Sequence, residues 1–362
     1  MQLSYLQSDN FRLLAATRIE PHSRLNLILG DNASGKTSLL ELIYCLSRKR
    51  SFRTSSAGDL AGSKGRYWHA AGRFETHEAQ AGNRVKLNWV PGELALNSDG
   101  DLSLAELSRR FPIQLLEPGL HRLLEEGPAY RRRFLDWGVF HVEHKFFPAW
   151  QRYQRALRQR NRALKNGSGD ARAFEPELAA AGELVQSLRA ESIAALKAPL
   201  ATRVAQLLGP VDWSLELLPG WNPELGLARS LEEHRLRDQR YGQTVEGPHR
   251  AELRLRLNGA KARHRVSRGQ QKMLIAALVM AQCDEVLRCT GTSPILLVDD
   301  LVAELGQAYQ QALVGALSDY KGQSFVTALE RSAVIDDLAA GEMFHVEQGT
   351  VKSTAAVPRT AQ

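Results

Sequence analysis

The sequence predicts an α/β fold that is interrupted by a helical arm, and three observations predict it. A continuous apolar run, Leu25–Leu29, leads through a glycine-rich turn into apolar residues at helical spacing. A second apolar run, at 294–298, ends in two carboxylates. Between them, residues 129–164 hold one glycine and one proline and repeat their apolar side chains at helical intervals. We therefore expect a head formed by residues 1–127 and 246–362, with residues 128–245 inserted as a helical arm.

The predicted elements follow the chain in order. Short strands are expected at 2–7 and 11–20, and more strands at 66–97, where RVKLNWV alternates apolar and polar residues. The pattern from about Ala129 to Leu164 predicts one long helix, and the glycine-containing turn at 166–170 separates it from a second helix. Pro176 suits the start of that second helix, which continues toward Leu207, so the two helices are expected to form an antiparallel hairpin.

Composition narrows the function classes. The chain has 362 residues, of which 43% are hydrophobic and 24% charged, and it contains neither a membrane-length apolar run nor a signal-peptide pattern at its start. Its three cysteines fit neither a disulfide framework nor a CxxC metal site, which favours the reducing cytoplasm; a location at the nucleoid is expected only if the chain binds DNA. The excess of 47 Lys and Arg over 40 Asp and Glu gives a charge of +7 and favours a polyanionic partner.

The segment GDNASGKT at 30–37 predicts a nucleotide site, because it fits the phosphate-binding pattern G-x-x-x-x-G-K-[ST] at every position. Glycine at the two fixed positions lets the backbone wrap phosphate oxygens, and the following helix directs its first N–H groups at the anion. Lys36 would reach the β and γ phosphates, and the hydroxyl of Thr37 would bind Mg²⁺. A chance glycine turn would require neither the strand before it nor the helix after it. The residues expected to bind ATP are Gly30, Asp31, Asn32, Ala33, Ser34, Gly35, Lys36 and Thr37.

The segment PILLVDD at 294–300 predicts the catalytic carboxylates. Asp299, at the end of an apolar strand, is suited to hold Mg²⁺, and Asp300 to orient or deprotonate the attacking water. Strands that end in acidic residues are common, so this segment indicates a nucleotide site only because the chain also contains GDNASGKT.

A third segment, VSRGQQKMLIAALVMAQ at 266–282, opens a long apolar helix with small polar residues. The backbone N–H groups at such a helix start, with Ser267 and Gly269, form an anion site. Locally, Ser267 and Gln270 also fit a capping box, and the two interpretations are compatible.

The combination of these motifs resembles the ATP-binding-cassette heads of DNA-maintenance proteins, and more specifically the RecF family. The segments that carry the resemblance span nearly the whole chain: NFRLL at 10–14, SFRT at 51–54, GPAYRRRFLDW at 127–137, GPHRAEL at 247–253, SRGQQK at 267–272 and LLVDDLVAEL at 296–305. It implies an ATP-dependent homodimer in which Ser267, Gly269 and Gln270 touch the ATP held by the other subunit. It also implies that Gln114 senses Mg²⁺ and the γ phosphate.

The same resemblance implies a role in recombinational repair of single-strand gaps, with the RecO and RecR proteins as partners and loading of the RecA recombinase as the outcome. Three departures from related heads bear on the expected activity. Transporter heads carry glutamate at the position of Asp300, whereas the RecF pattern has aspartate there, as this chain does. The shorter side chain predicts slow hydrolysis, in a weak DNA-stimulated ATPase. Gly306 replaces an aspartate that makes a contact across the dimer. Thr327 is the nearest polar residue to the position of the missing switch histidine.

The predicted arm is rich in arginine. Clustered guanidinium groups suit the phosphates of DNA and give sequence-independent affinity, whereas for a single arginine a solvated helix face is the more common explanation. The cluster favours duplex DNA or a duplex junction, contacted through the backbone. The residues assigned to this contact are Arg131, Arg132, Arg133, Arg152, Arg155 and Arg158.

Three other functions stay open on the sequence alone. A transporter ATPase subunit is disfavoured by the long separation of Lys36 from Ser267 and by the missing histidine. An architectural chromosome-structuring protein would have a coiled coil of hundreds of residues, and this arm spans tens. A nuclease would require a separate acidic cluster, and none stands out.

Overall fold

The computed structural model describes residues 1–76, 82–117, 119, 122–166, 170–261, 266–300, 305–338 and 341–354. The chain divides into two compact units, which are taken separately below. The head unit comprises Met1–Gly119, Gln206–Leu208 and Val286–Gln362, and the arm unit comprises Leu120–Ala205 and Gly209–Glu285.

The arm unit is larger than the arm expected from sequence, since residues 246–285 group with it. A strand within that stretch, Glu252–Leu257, pairs antiparallel with the strand Trp213–Leu218 and so joins the inserted segment. A compact unit need not be an independently folding domain, so the predicted domain boundaries stay a prediction.

The head unit is built on two sheets. The first has six strands: β3 (Leu25–Leu29), β7 (Ile113–Leu116), β11 (Ile295–Val298), β12 (Ser324–Ala328), β13 (Glu342–Glu347) and β14 (Thr350–Thr354). Their order is β14-β13-β3-β12-β11-β7, and β14 at the edge is antiparallel while the other neighbours run parallel. All the carboxyl ends of the parallel strands therefore lie at one edge, where ligands of α/β sheets bind.

The second sheet of the head unit is antiparallel and has the order β2-β1-β4-β5-β6. Its strands are β1 (Gln2–Asp9), β2 (Thr17–Ile19), β4 (Trp68–Glu75), β5 (Asn83–Val90) and β6 (Glu93–Ser98). The helices of this unit are α1 (Lys36–Arg48), α2 (Leu104–Arg110), α10 (Gln307–Ser318) and α11 (Ala333–Asp336). Leu39, Leu42 and Ile43 of α1 are fully buried in one apolar cluster with residues of both sheets. Each such side chain contributes about 1.5–3 kcal/mol, and together they fix α1 in place.

The strand expected at 11–20 is wrong for most of its length, because the ordered strand there is β2 alone. Asn10 and Arg12 have positive φ values of 53° and 52°, which interrupt the extended backbone. Leu14 then donates its N–H to the carbonyl of Phe11 in a tight turn.

The arm unit is mainly helical. It contains α3 (Arg122–Glu125), α4 (Pro128–Val142), α5 (Phe146–Asn166), α7 (Gly226–Glu233), α8 (Arg235–Tyr241), most of α6 (Glu175–Leu208) and of α9 (Arg268–Thr290), and the strands β8 (Trp213–Leu218), β9 (Glu252–Leu257) and β10 (Ala260–Lys261). The three strands form a small antiparallel sheet in the order β10-β9-β8.

The single long helix expected over 129–164 is wrong, because the chain breaks between α4 and α5. Pro148 explains the break: its nitrogen carries no hydrogen and could not bond the carbonyl four residues earlier in a continuous helix. In the structure Pro148 stands in the first turn of α5, where that hydrogen bond is not needed.

The predicted hairpin of two helices is present as α5 and α6. The Arg152 guanidinium lies 2.7 Å from the Glu177 carboxylate, and that of Arg160 lies 2.9 Å from Glu175. Later residues of α5 thus meet earlier residues of α6, as antiparallel helices require. Residues 167–169 of the predicted turn lie outside the described residues.

Candidate functional site

The turn at 30–37 joins β3 to α1 in the head unit, and its glycines are required by geometry. Gly30 and Gly35 have φ values of 152° and 119°, which strain any residue with a side chain. A Cβ on Gly30 would also lie 2.2 Å from the carbonyl oxygen of Val346. The sequence pattern and the backbone therefore agree on where glycine must stand.

Lys36 lies inside this turn, with its side chain 4% exposed. Its Nζ donates to the carbonyl oxygens of Gly30 at 2.8 Å and Asp31 at 3.0 Å, and lies 3.9 Å from Oδ2 of Asp300. The turn thus holds a buried ammonium group among its own carbonyls, and the predicted contact of Lys36 with phosphate oxygens stays a prediction.

Thr37 and Asp299 are 262 residues apart in the chain, and the fold brings them together. The Thr37 hydroxyl lies 3.0 Å from each oxygen of the Asp299 carboxylate. Burial raises the pKa of Asp299, the neighbouring Asp300 charge adds to this, and the hydroxyls of Thr327 and Thr37 oppose it. A hydroxyl and a carboxylate at one point are the oxygen ligands that Mg²⁺ prefers, so the residues present fit that ion.

Mg²⁺ at this point would take its remaining ligands from water and phosphate. Among the described residues, no group of three or more His, Cys, Asp and Glu side chains could hold a metal ion by itself. Mg²⁺ usually keeps several waters and binds one or two carboxylates together with substrate phosphates.

Asp300 is held in an uncommon backbone conformation, with φ at 42°. Its N–H donates to Oγ1 of Thr327 at 2.8 Å, and that hydroxyl lies 3.2 Å from Oδ1 of Asp300 and 3.0 Å from Oδ1 of Asp299. Thr327 is fully buried at the centre of this contact. The structure therefore places Thr327 beside both predicted catalytic carboxylates, Asp299 and Asp300, whereas residues 301–304 lie outside the described residues.

Gln114 lies within β7, opposite Leu296 of β11. Asp299 follows Val298, which pairs with Leu116, so Gln114 is set back by about 10 Å along the strand at ~3.3 Å per residue. This distance of about 10 Å separates the position of Gln114 from that of Asp299. The predicted contact of Gln114 with Mg²⁺ and the γ phosphate stays a prediction.

Ser267 and Gln270, in the arm unit, form the capping box expected at the start of α9. The N–H of Gln270 donates to Oγ of Ser267, and the N–H of Ser267 donates to Oε1 of Gln270, both at 3.2 Å. Ser267 is exposed and Gly269 is partly exposed. The predicted contact of these residues with ATP of a second subunit stays a prediction.

The arm arginines divide into two groups, and Arg131 belongs to the buried one. Its guanidinium binds Glu252 at 2.6 Å and 2.9 Å and donates to the carbonyl oxygens of Leu123 at 2.9 Å and Glu126 at 2.8 Å. Arg132 donates to the carbonyl of Ala251 at 2.9 Å. The expectation of an exposed DNA contact is therefore wrong for Arg131, because α4 uses that side chain to bind α3 and β9.

The exposed group lies on α5. Arg155, Arg158, Arg162 and Lys165 are exposed and follow at intervals of three, four and three residues, which places them on one helix face. Arg152 is exposed on the same helix but paired with Glu177, and Arg133 on α4 lies 5.3 Å from the ring centroid of Tyr130. The α5 sequence contains no acidic residue.

The head unit also contains a cleft that none of the three motifs lines. This cleft of about 630 Å³ lies beside the phosphate turn, and its lining combines polar and basic side chains with Asp59 and with apolar residues such as Leu13 and Leu14. The polar and basic side chains include Asn10, Arg12, Ser38, Arg53, Lys64 and Gln348. Arg12 is anchored by a double hydrogen bond to the buried Glu41, at 2.9 Å for each contact. Asn10, Arg12 and Arg53 belong to the segments NFRLL and SFRT, which resemble the RecF family. The sequence therefore contained a sign that these cleft residues matter.

No helix in the described part of the chain is both long enough and apolar enough to cross a membrane.

Comparisons with known proteins agree with this geometry. The family model "RecF/RecN/SMC N terminal domain" matches residues 2–352. Proteins called DNA replication and repair protein RecF are 37% identical in Pseudomonas aeruginosa strain LESB58 (99% of both chains covered) and 39% identical in Chromohalobacter salexigens (96% of this chain, 99% of the relative).

Solved structures give the same result. The recombination mediator protein RecF bound to ATP, in the RecFOR pathway, matches with a TM-score of 0.85, 25% identity and 98% of both chains covered. An Smc head domain from Pyrococcus furiosus matches with a TM-score of 0.62 at 16% identity and supports the fold alone. The chain therefore belongs to the RecF family and has an ABC-type ATPase head with an inserted helical arm.

Proposed function

We propose that this chain is an ATP-dependent DNA-binding protein of recombinational repair, in which bound ATP controls assembly on DNA. The observation that carries the proposal is the meeting of Thr37 with Asp299 at 3.0 Å beside the phosphate turn. It joins the two halves of a nucleotide site at the carboxyl edge of the sheet. The relatives named for DNA replication and repair support the biological setting.

ATP binding would use the turn in three ways. The backbone between Gly30 and Gly35 wraps the phosphates, and the N–H groups at the start of α1 add donors with a favourable helix dipole. Lys36 moves from the turn carbonyls to phosphate oxygens. The cleft lined by Arg12 and Lys64 is the polar space beside the turn that would take the rest of the nucleotide.

Hydrolysis would depend on the two adjacent carboxylates. Mg²⁺ bound at Thr37 and Asp299 would neutralise phosphate charge. Asp300, held by Thr327, would orient the attacking water and accept its proton. The Asp300 side chain is shorter by a methylene than the glutamate of related heads, which would favour slow turnover. DNA would stimulate this turnover, and hydrolysis would act as a release step.

Assembly would use the exposed start of α9. In a closed dimer with two-fold symmetry, each phosphate turn meets the same surface of the partner, so one chain's Ser267, Gly269 and Gln270 would touch the other chain's ATP. Exposure of Ser267 leaves it accessible for such a contact. RecR and RecO are the proposed protein partners, and RecA loading the proposed outcome, in the cytoplasm at the nucleoid.

DNA binding would use the basic face of α5. Arg155 and Arg158 are exposed on it, and guanidinium groups bind phosphate oxygens without selecting a sequence. Duplex DNA or a junction of duplex and single strand is the proposed target.

The test measures dimerisation by analytical ultracentrifugation and DNA affinity by fluorescence anisotropy, with and without ATP. ATP should promote both in the wild-type protein. Lys36→Ala should weaken ATP binding by roughly 10- to 100-fold, the size of one lost charged hydrogen-bond contact, while Lys36→Arg should retain part of the binding and lose turnover. Lys86→Ala, at an exposed lysine of β5, is the matched control.

Two results would count against the proposal. DNA affinity that is the same with and without ATP would remove ATP control. Unchanged ATP binding and turnover in both Lys36 variants would remove the assignment of the phosphate turn.

A further inference from the structure

Glu41 is an acidic side chain of the head unit that no step of the proposed function uses. It lies on α1 one helical turn after Thr37, and its side chain is fully buried. A buried carboxylate is costly unless charged and hydrogen-bonding partners replace its lost hydration. The partners of Glu41 come from the turn between β1 and β2 and from the residues that follow α1. One carboxylate therefore joins three parts of the chain.

The first partner is Arg12, in the turn between β1 and β2. Its Nε donates to Oε2 of Glu41 and its Nη2 to Oε1, both at 2.9 Å. Its Nη1 also donates to the carbonyl oxygen of Asp59 at 2.8 Å. These contacts use only part of the five N–H groups that a guanidinium carries. Because Arg12 lines the cleft and is 20% exposed, its remaining N–H groups are accessible to a ligand there.

The second partner is the segment that follows α1. The Ser51 hydroxyl donates to Oε1 of Glu41 and accepts from the N–H groups of Arg53 at 2.8 Å and Thr54 at 3.1 Å. The Arg53 guanidinium lies 3.8 Å from Oε2 of Glu41 and is 48% exposed. Glu41 thus holds the backbone of this segment through Ser51 and attracts the Arg53 side chain.

Both arginines line the cleft, as does Ser38, the residue directly after the phosphate turn. The cleft therefore begins where the turn ends. Glu41 is fully buried, so it acts on a ligand in the cleft only through its partners. The double contact with Glu41 neutralises the charge of Arg12, which leaves that guanidinium suited to donate hydrogen bonds to uncharged acceptors.

We propose that Glu41 is a positioning residue for ATP, which fixes Arg12 so that its remaining N–H groups donate to the ribose and the base. The phosphates have their own binding groups in the turn, among them Lys36. An arginine without a fixed partner would lose rotamer freedom when it binds, and Glu41 removes that loss because it already holds the guanidinium in place. This inference rests on the proposed function, because it requires that the cleft takes the nucleoside part of ATP.

The experiment compares ATP with inorganic triphosphate, which lacks the nucleoside, by isothermal titration calorimetry. Glutamine keeps the size of glutamate but replaces one oxygen by an NH₂ group that cannot accept from Arg12. Glu41→Gln should therefore weaken ATP binding by about 10-fold, as for one lost hydrogen bond to a charged group. Triphosphate binding should not weaken, because the phosphate turn is untouched. In steady-state hydrolysis KM should rise by about 10-fold while kcat changes less than about twofold.

Arg12→Lys tests whether Glu41 acts through Arg12. Lysine keeps the charge beside Glu41 but lacks the planar fork, so it should also weaken ATP and spare triphosphate. Glu41→Gln combined with Arg12→Lys should bind ATP no more weakly than Arg12→Lys alone, because the two residues act as one unit. A further loss in the double variant would overturn the proposal. If Glu41→Gln does not fold, Arg12→Lys alone decides, and equal losses for ATP and triphosphate would overturn it.

Asp136→Asn is the matched control, because it breaks another carboxylate–arginine pair, 2.7 Å from Arg189, within the arm unit. It should lower stability in urea unfolding and leave ATP affinity within about twofold. Unchanged ATP affinity in folded Glu41→Gln would overturn the proposal and leave nucleotide binding intact. Equal affinity of the wild-type protein for ATP and triphosphate would also overturn it, because the cleft would then add nothing. If the wild-type protein bound neither ligand, the proposed function itself would fail.

Discussion

In the nucleotide site of the head unit, residue type determines structural role, whereas among the arginines of the arm unit it does not. At the nucleotide site, local geometry fixes which residue type can stand at each position. Gly30 cannot carry a Cβ, because that atom would lie 2.2 Å from the carbonyl oxygen of Val346. In the arm, one residue type serves two purposes on a single helix. Arg160 is fully buried and Arg158 is exposed, although both stand in the same arginine-rich run.

The difference teaches that a motif can be assigned residue by residue when the backbone itself demands each residue, whereas a charged cluster cannot. Burial of an arginine depends on whether a distant carboxylate meets it, as Asp238 meets Arg160 at 2.6 Å.

Arg160→Ala should lower the stability of the arm unit by about 3–5 kcal/mol, because it leaves the buried Asp238 without its charged partner. Arg158→Ala should change it by less than about 0.5 kcal/mol, as an exposed surface substitution does. Hydrogen exchange of α5 and α8, followed by mass spectrometry, resolves the two variants. Equal protection in both would contradict the division into buried and exposed arginines.

His249 should make the arm unit sensitive to mild acid. Its Nδ1 accepts from the Tyr153 hydroxyl at 2.5 Å, its Nε2 donates to the Thr244 carbonyl at 3.0 Å, and burial lowers its pKa from 6.5 to about 4. The folded state thus keeps the ring neutral while the unfolded chain becomes protonated below 6.5. Its stabilising contribution is complete above that pH and is lost as the pH falls toward 4.

The loss of unfolding free energy between pH 7.5 and pH 5 should be about 2 kcal/mol, since the slope approaches ~1.4 kcal/mol per pH unit between the two pKa values. Urea unfolding at pH 7.5 and pH 5 measures it. His249→Gln should flatten the dependence over this range. An equally steep dependence in that variant would show that other groups are responsible.

Thr327→Val should slow ATP hydrolysis by roughly 10-fold, about 1.4 kcal/mol, because the hydroxyl that holds Asp300 beside Asp299 is lost. ATP affinity should change little, since the phosphate turn is untouched. Thr327→Ser keeps the hydroxyl and should retain most of the turnover. Steady-state phosphate release measures all three proteins, and wild-type turnover in Thr327→Val would remove Thr327 from the site.

Arg158→Gln should give the smallest change, a two- to fivefold loss of DNA affinity with a salt dependence reduced by about one ion. Arg229→Gln is the matched control, because Arg229 is 69% exposed on α7 and paired with Glu233. Anisotropy titrations at several salt concentrations measure both. A control loss as large as that of Arg158→Gln would assign the effect to net charge rather than to the α5 face.

These contrasts explain how far the sequence predicts the molecule. The turn at 30–37, the strand before it and the helix after it follow from local chemistry, and the structure confirms them. The break after Val142 was not predicted, although Pro148 marks it, because an isolated proline also fits the first turn of a helix. The central position of Thr327 depends on which strands are neighbours in the sheet, and a single segment carries no such information.

The position of Arg131 illustrates the same limit. Glu252, its partner, is 121 residues away in the chain and stands on a strand whose place becomes evident from the pairing of β8 with β9. Charge alone predicted an exposed contact at Arg131, and tertiary packing gave it a structural role.

The close approach of Gly30 to Val346 means that the phosphate turn depends on residues that are synthesised much later. The phosphate turn is synthesised early, but Ser34 accepts a hydrogen bond from Gly349 at 2.8 Å, and Asp299 also comes late in the chain. A ribosome-bound chain that has released only its first two hundred residues holds the whole motif without the walls that shape it. We therefore expect nucleotide to bind poorly until residues 299–349 have also been synthesised.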